Sequence, residues 1–243
     1  MRTKALFLTI LLLPTLSMAG GNSTNDSFSR SKKTLLNRVY YDHRTTFYCD
    51  CLFGPDKTVP PSDKYKPKRE NSRSSKVEWE HVVPAHAFGQ SFPEWRNGAA
   101  GCVDKKGKGF KGRKCARLTS KEFRLMEADM YNLVPAIGEI NGDRSNYSYG
   151  IIPGEPRDYG PCDFEIESRK VEPREEIRGD IARIYMYMDW AYPGHGIISK
   201  KNRKMFDVWD NQDPVDAREC ERARRIEEIQ GNENPFVKKQ CEH

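Results

Sequence analysis

Seven cysteines standing behind an export signal limit this chain more than any other feature. Residues 1–19 have the three parts of a secretory leader. Arg2 and Lys4 give a basic start, residues 5–13 are apolar but for Thr9, and Ser17, Met18 and Ala19 supply the cleavage site. The apolar run is too short to cross a bilayer as a helix, and no cysteine follows the cleavage site to take a lipid. The chain is therefore expected in the periplasm or secreted. In that oxidising compartment Cys49, Cys51, Cys102, Cys115, Cys162, Cys220 and Cys241 read as disulfide partners. Zinc is the rival reading, but only Cys49 and Cys51 are close, and they lack the two-residue spacing that structural zinc prefers. An odd count leaves at least one thiol free or bonded to another chain, and spacing alone does not assign the pairs.

Removing the leader leaves roughly 224 residues, enough for one large domain or two small ones. No linker or internal repeat divides them, so a single α+β domain is expected over residues 20–243. Residues 20–33, rich in Gly, Ser, Asn and Asp, read as a flexible lead-in. A short amphipathic helix is expected at 34–42, a surface loop at 54–75, and a strand at 76–83 ended by Pro84. Thr119 and Glu122 fit a capping box for a helix that carries Phe123, Met126, Met130, Leu133 and Val134 on one stripe and stops at Pro135. Residues 141–149 read as turns. A second helix is expected from about Pro173 to Trp190, and a third from Asp213-Pro214 to about Gly231. Lys and Arg number 41, two of them in the leader, against 35 acidic residues. That excess is too small to argue for a polyanion partner by itself, so the placement of charge has to decide.

The most informative segment is 78–86 (EWEHVVPAH), which holds two of the five histidines. A zinc protease needs two histidines four apart on a helix. Here they are five apart, with Pro84 forbidding a regular helix between them. A carboxylate beside a histidine at a strand end suits another task. His81 can take a proton from water near neutral pH, and Glu80 can hold a hard divalent cation. Adjacent strand residues point to opposite faces, so a shared site requires the backbone to bend near Pro84. Asn132, opposite the apolar stripe of its helix, is expected to face solvent or a cleft, where its amide oxygen suits Mg²⁺. Between Cys102 and Cys115 lie Lys105, Lys106, Lys108, Lys111, Arg113 and Lys114 with only Asp104 opposed. A loop this basic, closed by a disulfide, would offer fixed phosphate contacts.

Residues 78–88 (EWEHVVPAHAF), 112–115 (GRKC) and 126–133 (MEADMYNL) resemble the bacterial endonuclease I family. So do Pro135, Gly138-Glu139, residues 141–146 (NGDRSN) and Gln230-Gly231-Asn232. The resemblance runs in order from about residue 35. It implies a non-specific periplasmic or secreted nuclease with a ββα-metal (His-Me finger) core, set in a mainly helical, disulfide-containing domain. It implies His81 as general base, Glu80 and Asn132 as ligands of one Mg²⁺ (a site Mn²⁺ or Ca²⁺ would also fit), and Arg113 on the scissile phosphate. DNA and RNA are the implied substrates, with 5′-phosphate products, no membrane association and a monomer. Lys111, Lys114 and Arg144 are further nucleic-acid contacts, and His86 is not expected to act as a base. Two features depart from the family: the odd cysteine, and Glu233 where a basic residue is expected. A secreted nucleic-acid-binding protein without catalysis, or a purely structural disulfide-rich protein, are the alternatives.

Overall fold

The computed structural model describes residues 20–154 and 156–241. The leader expected at 1–19 lies outside the described residues. The chain enters through α1 (Phe28–Thr34), where Ser27 accepts a hydrogen bond from the Arg30 amide, and continues into a π-helical turn, Leu35–Val39. The lead-in is not a loose tail. Asn22 is buried, its amide donating to the Tyr192 hydroxyl (2.9 Å) and its side chain to the Leu125 carbonyl (2.9 Å). Composition suggested disorder because the segment has few apolar side chains. Hydrogen bonds to buried groups hold it instead.

The strand β1 (Val77–His81) stops where Pro84 approaches, and α2 (Ala85–Gly89) and α3 (Pro93–Asn97) follow. The single helix expected from Thr119 to Val134 is broken into the end of one helix, a second helix, a 3₁₀ turn and the start of a strand. The helix α4 (Arg113–Thr119) ends at Ser120, and Ser120 rather than Thr119 caps α5 (Lys121–Glu127). Asp129 then caps a 3₁₀ turn, Met130–Asn132, and the chain extends into β2 (Leu133–Ile137). The apolar run at 133–137 is buried throughout, a pattern that fits helix and strand equally. Pro135 is tolerated in β2 because a two-stranded sheet consists only of edges. β1 and β2 pair antiparallel, from Val77 against Ile137 to His81 against Leu133.

Directly after β2 comes α6 (Gly138–Arg144), where turns were expected. A second sheet of β3 (Ser148–Tyr149), β4 (Phe164–Glu167) and β5 (Lys170–Pro173) is ordered β3-β5-β4. The helix α7 (Arg178–Ala191) starts later than Pro173, which lies in β5. α8 (Lys200–Gln212) was not anticipated, and its C-cap is Asp213. α9 (Ala217–Gln230) is capped by Asp216 and ends at Gly231, whose φ of 84° is the left-handed conformation that glycine supplies at helix ends. α10 (Pro235–Cys241) closes the described chain.

One hydrophobic core draws on residues from Leu35 to Val237, and the architecture is mixed α/β. Three disulfides pin its periphery: Cys49–Cys162, Cys102–Cys115 and Cys220–Cys241. Cys51 is free and buried. Three bridges fit an exported protein. Among the described residues no helix is long and apolar enough to cross a membrane.

Candidate active site

Glu80 and His81 end β1, and although neighbours, both line one polar cleft of about 630 Å³. The sharing is possible because the strand stops at His81. Both side chains are more than nine-tenths buried. His81 Nε2 lies 2.9 Å from the Glu127 carbonyl oxygen. A carbonyl can only accept, so Nε2 carries the proton and Nδ1 of the neutral ring is left with a lone pair. Burial, and then the nearby Arg113 cation, push the imidazole down to a pKa of about 4, so it is neutral at neutral pH.

Glu80 receives the Tyr48 hydroxyl (3.3 Å) and pairs with Arg144 (3.0 Å), both on Oε1. Oε2 keeps its lone pairs. Burial raises this carboxyl to about 7 in spite of Arg144, so an added cation would stabilise its charged form. Arg113 opens α4 and donates through Nε to Glu127 (2.5 Å), while its Nη2 is buried with no partner among the described residues. Arg113 lines the same cleft, and an unpaired guanidinium nitrogen is the kind of donor that a phosphate oxygen satisfies.

Glu127, which sequence reasoning passed over, organises this arrangement. Its carboxylate holds Arg113 and Arg117 and its carbonyl holds His81. Burial would raise its carboxyl, but Arg117 and Arg113 keep it below the usual carboxylate range. No spacing rule marks such a residue, because its function depends on contacts that the fold creates.

Two expectations need correction. Asn132 is fully buried, and its amide clamps Val83, accepting from the backbone N–H (2.7 Å) and donating to the carbonyl (3.0 Å). It does not line the cleft, because the helix that was to present it ends at Glu127. The amide that does line the cleft is Asn141 on α6, whose Nδ2 donates to Glu78 (2.6 Å), leaving Oδ1 available. Arg144, expected on nucleic acid, is buried, donating to the carbonyls of His81 (3.0 Å) and Val82 (2.6 Å) beside its pairing with Glu80. It braces the strand end. Lys111 and Lys114 are exposed and outside the cleft lining, with Lys114 over the Phe110 ring. His86 is exposed, at the cleft edge, and interacts with Gln90.

Among the described residues no three His, Cys, Asp or Glu side chains cluster as a metal site. Mg²⁺ keeps several waters and is held by few protein ligands. A neutral imidazole set beside an open carboxylate oxygen and an unpaired guanidinium is the equipment of an enzyme that acts on nucleic acid. The chain belongs to the endonuclease I family, whose pattern matches residues 25–241. It is 41% identical to an extracellular deoxyribonuclease of Aeromonas hydrophila over 96% of this chain and 97% of that protein. It is 43% identical to a periplasmic deoxyribonuclease of the same organism, covering 88% and 86% of the two chains. Identity to an endonuclease-1 of Buchnera aphidicola is 38%, over 90% and 87%.

Proposed function

We propose that β1, β2 and α6 form a ββα-metal (His-Me) finger, and that the protein is a non-specific endonuclease hydrolysing DNA with one divalent cation, Mg²⁺ in the first instance. The observation that carries this reading is the Glu127 carbonyl on His81 Nε2, which leaves Nδ1 as a base in the same cleft as Glu80 and Arg113. Relatives over most of the chain carry the name deoxyribonuclease, which favours DNA. RNA is also a substrate on this reading, since a site built for phosphate and a water nucleophile does not require a particular base or sugar.

His81 Nδ1 takes a proton from the attacking water, and Arg113 Nη2 holds a non-bridging phosphate oxygen and its growing charge. Glu80 Oε2 and Asn141 Oδ1 are the protein ligands that the cleft offers a cation. Bound there, the cation supplies Lewis-acid stabilisation of the phosphate and of the departing 3′ oxygen. In-line attack on that side leaves 5′-phosphates.

Incubating the purified protein with supercoiled plasmid, with Mg²⁺ or with a chelator, tests the reading. Nicking that requires the metal is expected. Intact plasmid retained by bound protein would instead favour the non-catalytic alternative. The ligand assignment has its own test, a Mg²⁺ titration of initial rates. Glu80→Ala and Asn141→Ala should each raise the half-maximal Mg²⁺ concentration by about tenfold or more, as even a change in the outer coordination shell does. Asn132→Ala should leave it unchanged and lower thermal stability, by about 1–3 kcal/mol for the backbone groups left unpaired. A shift in Mg²⁺ requirement for Asn132→Ala alone would reverse the assignment.

The Cys102–Cys115 bridge closes a loop of about 14 residues, worth about 3 kcal/mol in the chain-entropy model. The loop's lysines face solvent, so the bridge acts on Arg113, which lies inside the loop two residues before Cys115. Cutting the bridge frees mutually repelling cations and leaves Glu127 as the main restraint on Arg113. A Cys102→Ala/Cys115→Ala variant should lose up to about 10²-fold in rate, the scale of a roughly 1 Å misplacement, with circular dichroism unchanged. Such dependence would keep the enzyme quiet in a reducing cytosol before export. A folded variant that cuts at the parental rate ends this idea.

A further inference from the structure

We propose that Phe28 is a positioning residue for His81 and Arg113, held in place by the N-terminal strap that export processing would leave at the front of the mature chain. The proposal rests on the nuclease reading above. The Phe28 ring is half-buried in the wall of the cleft, with its centroid 4.9 Å from the His81 ring. Two cations stand over the same ring, Arg113 at 5.6 Å and Lys32 at 4.8 Å. One side chain therefore touches both the general base and the phosphate-binding guanidinium. It limits rotation of the imidazole, which among the described residues is tethered by one hydrogen bond, to the Glu127 carbonyl. It also gives the guanidinium a flat surface to lie against.

The strap is tied to the same stretch of backbone that holds the catalytic pair. Asn22 donates to the Leu125 carbonyl (2.9 Å) and, through its amide, to Asp129 (3.4 Å). Ser31, fully buried on α1, donates to the Ala128 carbonyl (2.5 Å). Between these anchors sits Glu127, bound to His81 and Arg113. Docking of residues 20–34 thus sets Phe28 against the pair from the far side. Gly21 is part of the seat, since a Cβ there would fall 2.6 Å from the Tyr192 ring.

The test is steady-state cleavage of a defined duplex in Mg²⁺ by the mature protein, with thermal melts alongside. Phe28→Ala should lower kcat by about 10- to 100-fold and leave KM within about twofold. Phe28→Tyr, which keeps the ring, should restore kcat. Should Phe28→Ala not fold, Phe28→Leu keeps the bulk and is expected to show the same kcat loss at smaller size. Gly21→Val, which unseats the strap without touching the cleft, should also lose kcat. A raised KM with kcat intact in Phe28→Ala would make Phe28 a platform for substrate and overturn the positioning role. Parental kcat in Gly21→Val would overturn the strap's part. If His81→Ala is inactive while Phe28→Ala and Phe28→Leu cut at the parental rate, this inference fails and the nuclease reading stands. If the parent protein does not cut, the nuclease reading itself fails.

Discussion

Replacing His81 with alanine is expected to lower the cleavage rate by about 10²–10⁴, the usual contribution of a positioned general base. The expectation rests on the tautomer. The carbonyl of Glu127 fixes the proton on Nε2, and burial together with Arg113 keeps the ring neutral. Nδ1 therefore holds its lone pair ready at physiological pH. Duplex binding, measured by fluorescence anisotropy in Ca²⁺, should change little, because the proposed phosphate contact resides in Arg113. His86→Ala is the control. That ring is exposed and its Nε2 faces Gln90, so its loss should leave the rate unaltered. Near-normal turnover by His81→Ala, or a larger loss in His86→Ala, would sink the assignment.

Removing Arg144 should cost about 3–5 kcal/mol of stability, as breaking one half of a buried ion pair generally does. Its guanidinium is wholly buried, pairs with Glu80, caps the carbonyls of His81 and Val82, and lies 4.8 Å from the Tyr149 ring centroid. Arg144→Ala removes the side-chain donor from those two carbonyls and leaves the buried Glu80 carboxylate to the Tyr48 hydroxyl (3.3 Å). Glu80, already raised to about 7, can escape part of the penalty by taking a proton, which places the loss toward the lower end. Arg144→Lys should recover little, because an ammonium cannot span three acceptors in a plane. Urea melts measure the change, and adding Glu80→Gln to Arg144→Ala should return part of the stability. A loss below about 1 kcal/mol in Arg144→Ala would show that the brace is dispensable.

Residues chosen from local pattern survived where the function of the pattern is itself local. The strand at 76–83 formed with its end at His81, and Pro84 stands between it and the short helix that follows. Gly231 closed its helix at the left-handed position. Glu80, His81 and Arg113 meet in one cleft. The helix expected through Asn132 failed for a general reason: a short apolar run buried on all sides has no period that distinguishes helix from strand. With that boundary misplaced, the amide expected to face solvent or a cleft was misplaced too. Asn132 is spent on Val83, and Asn141, read as part of a turn, stands on α6 at the cleft.

What the sequence by itself determined is the compartment chemistry and the reactive types. A leader-like start followed by seven cysteines called for disulfides, and a histidine next to a carboxylate before a proline called for a base beside a cation. Which cysteines pair, and that Cys51 stays free, only the tertiary structure decided, because bonding needs two backbones within reach of each other. The same holds for Glu127, Arg144 and Phe28. Their side chains meet the site across separations of 46, 63 and 53 residues from His81 along the chain, and a contact of that kind is created by folding, with no trace in local spacing.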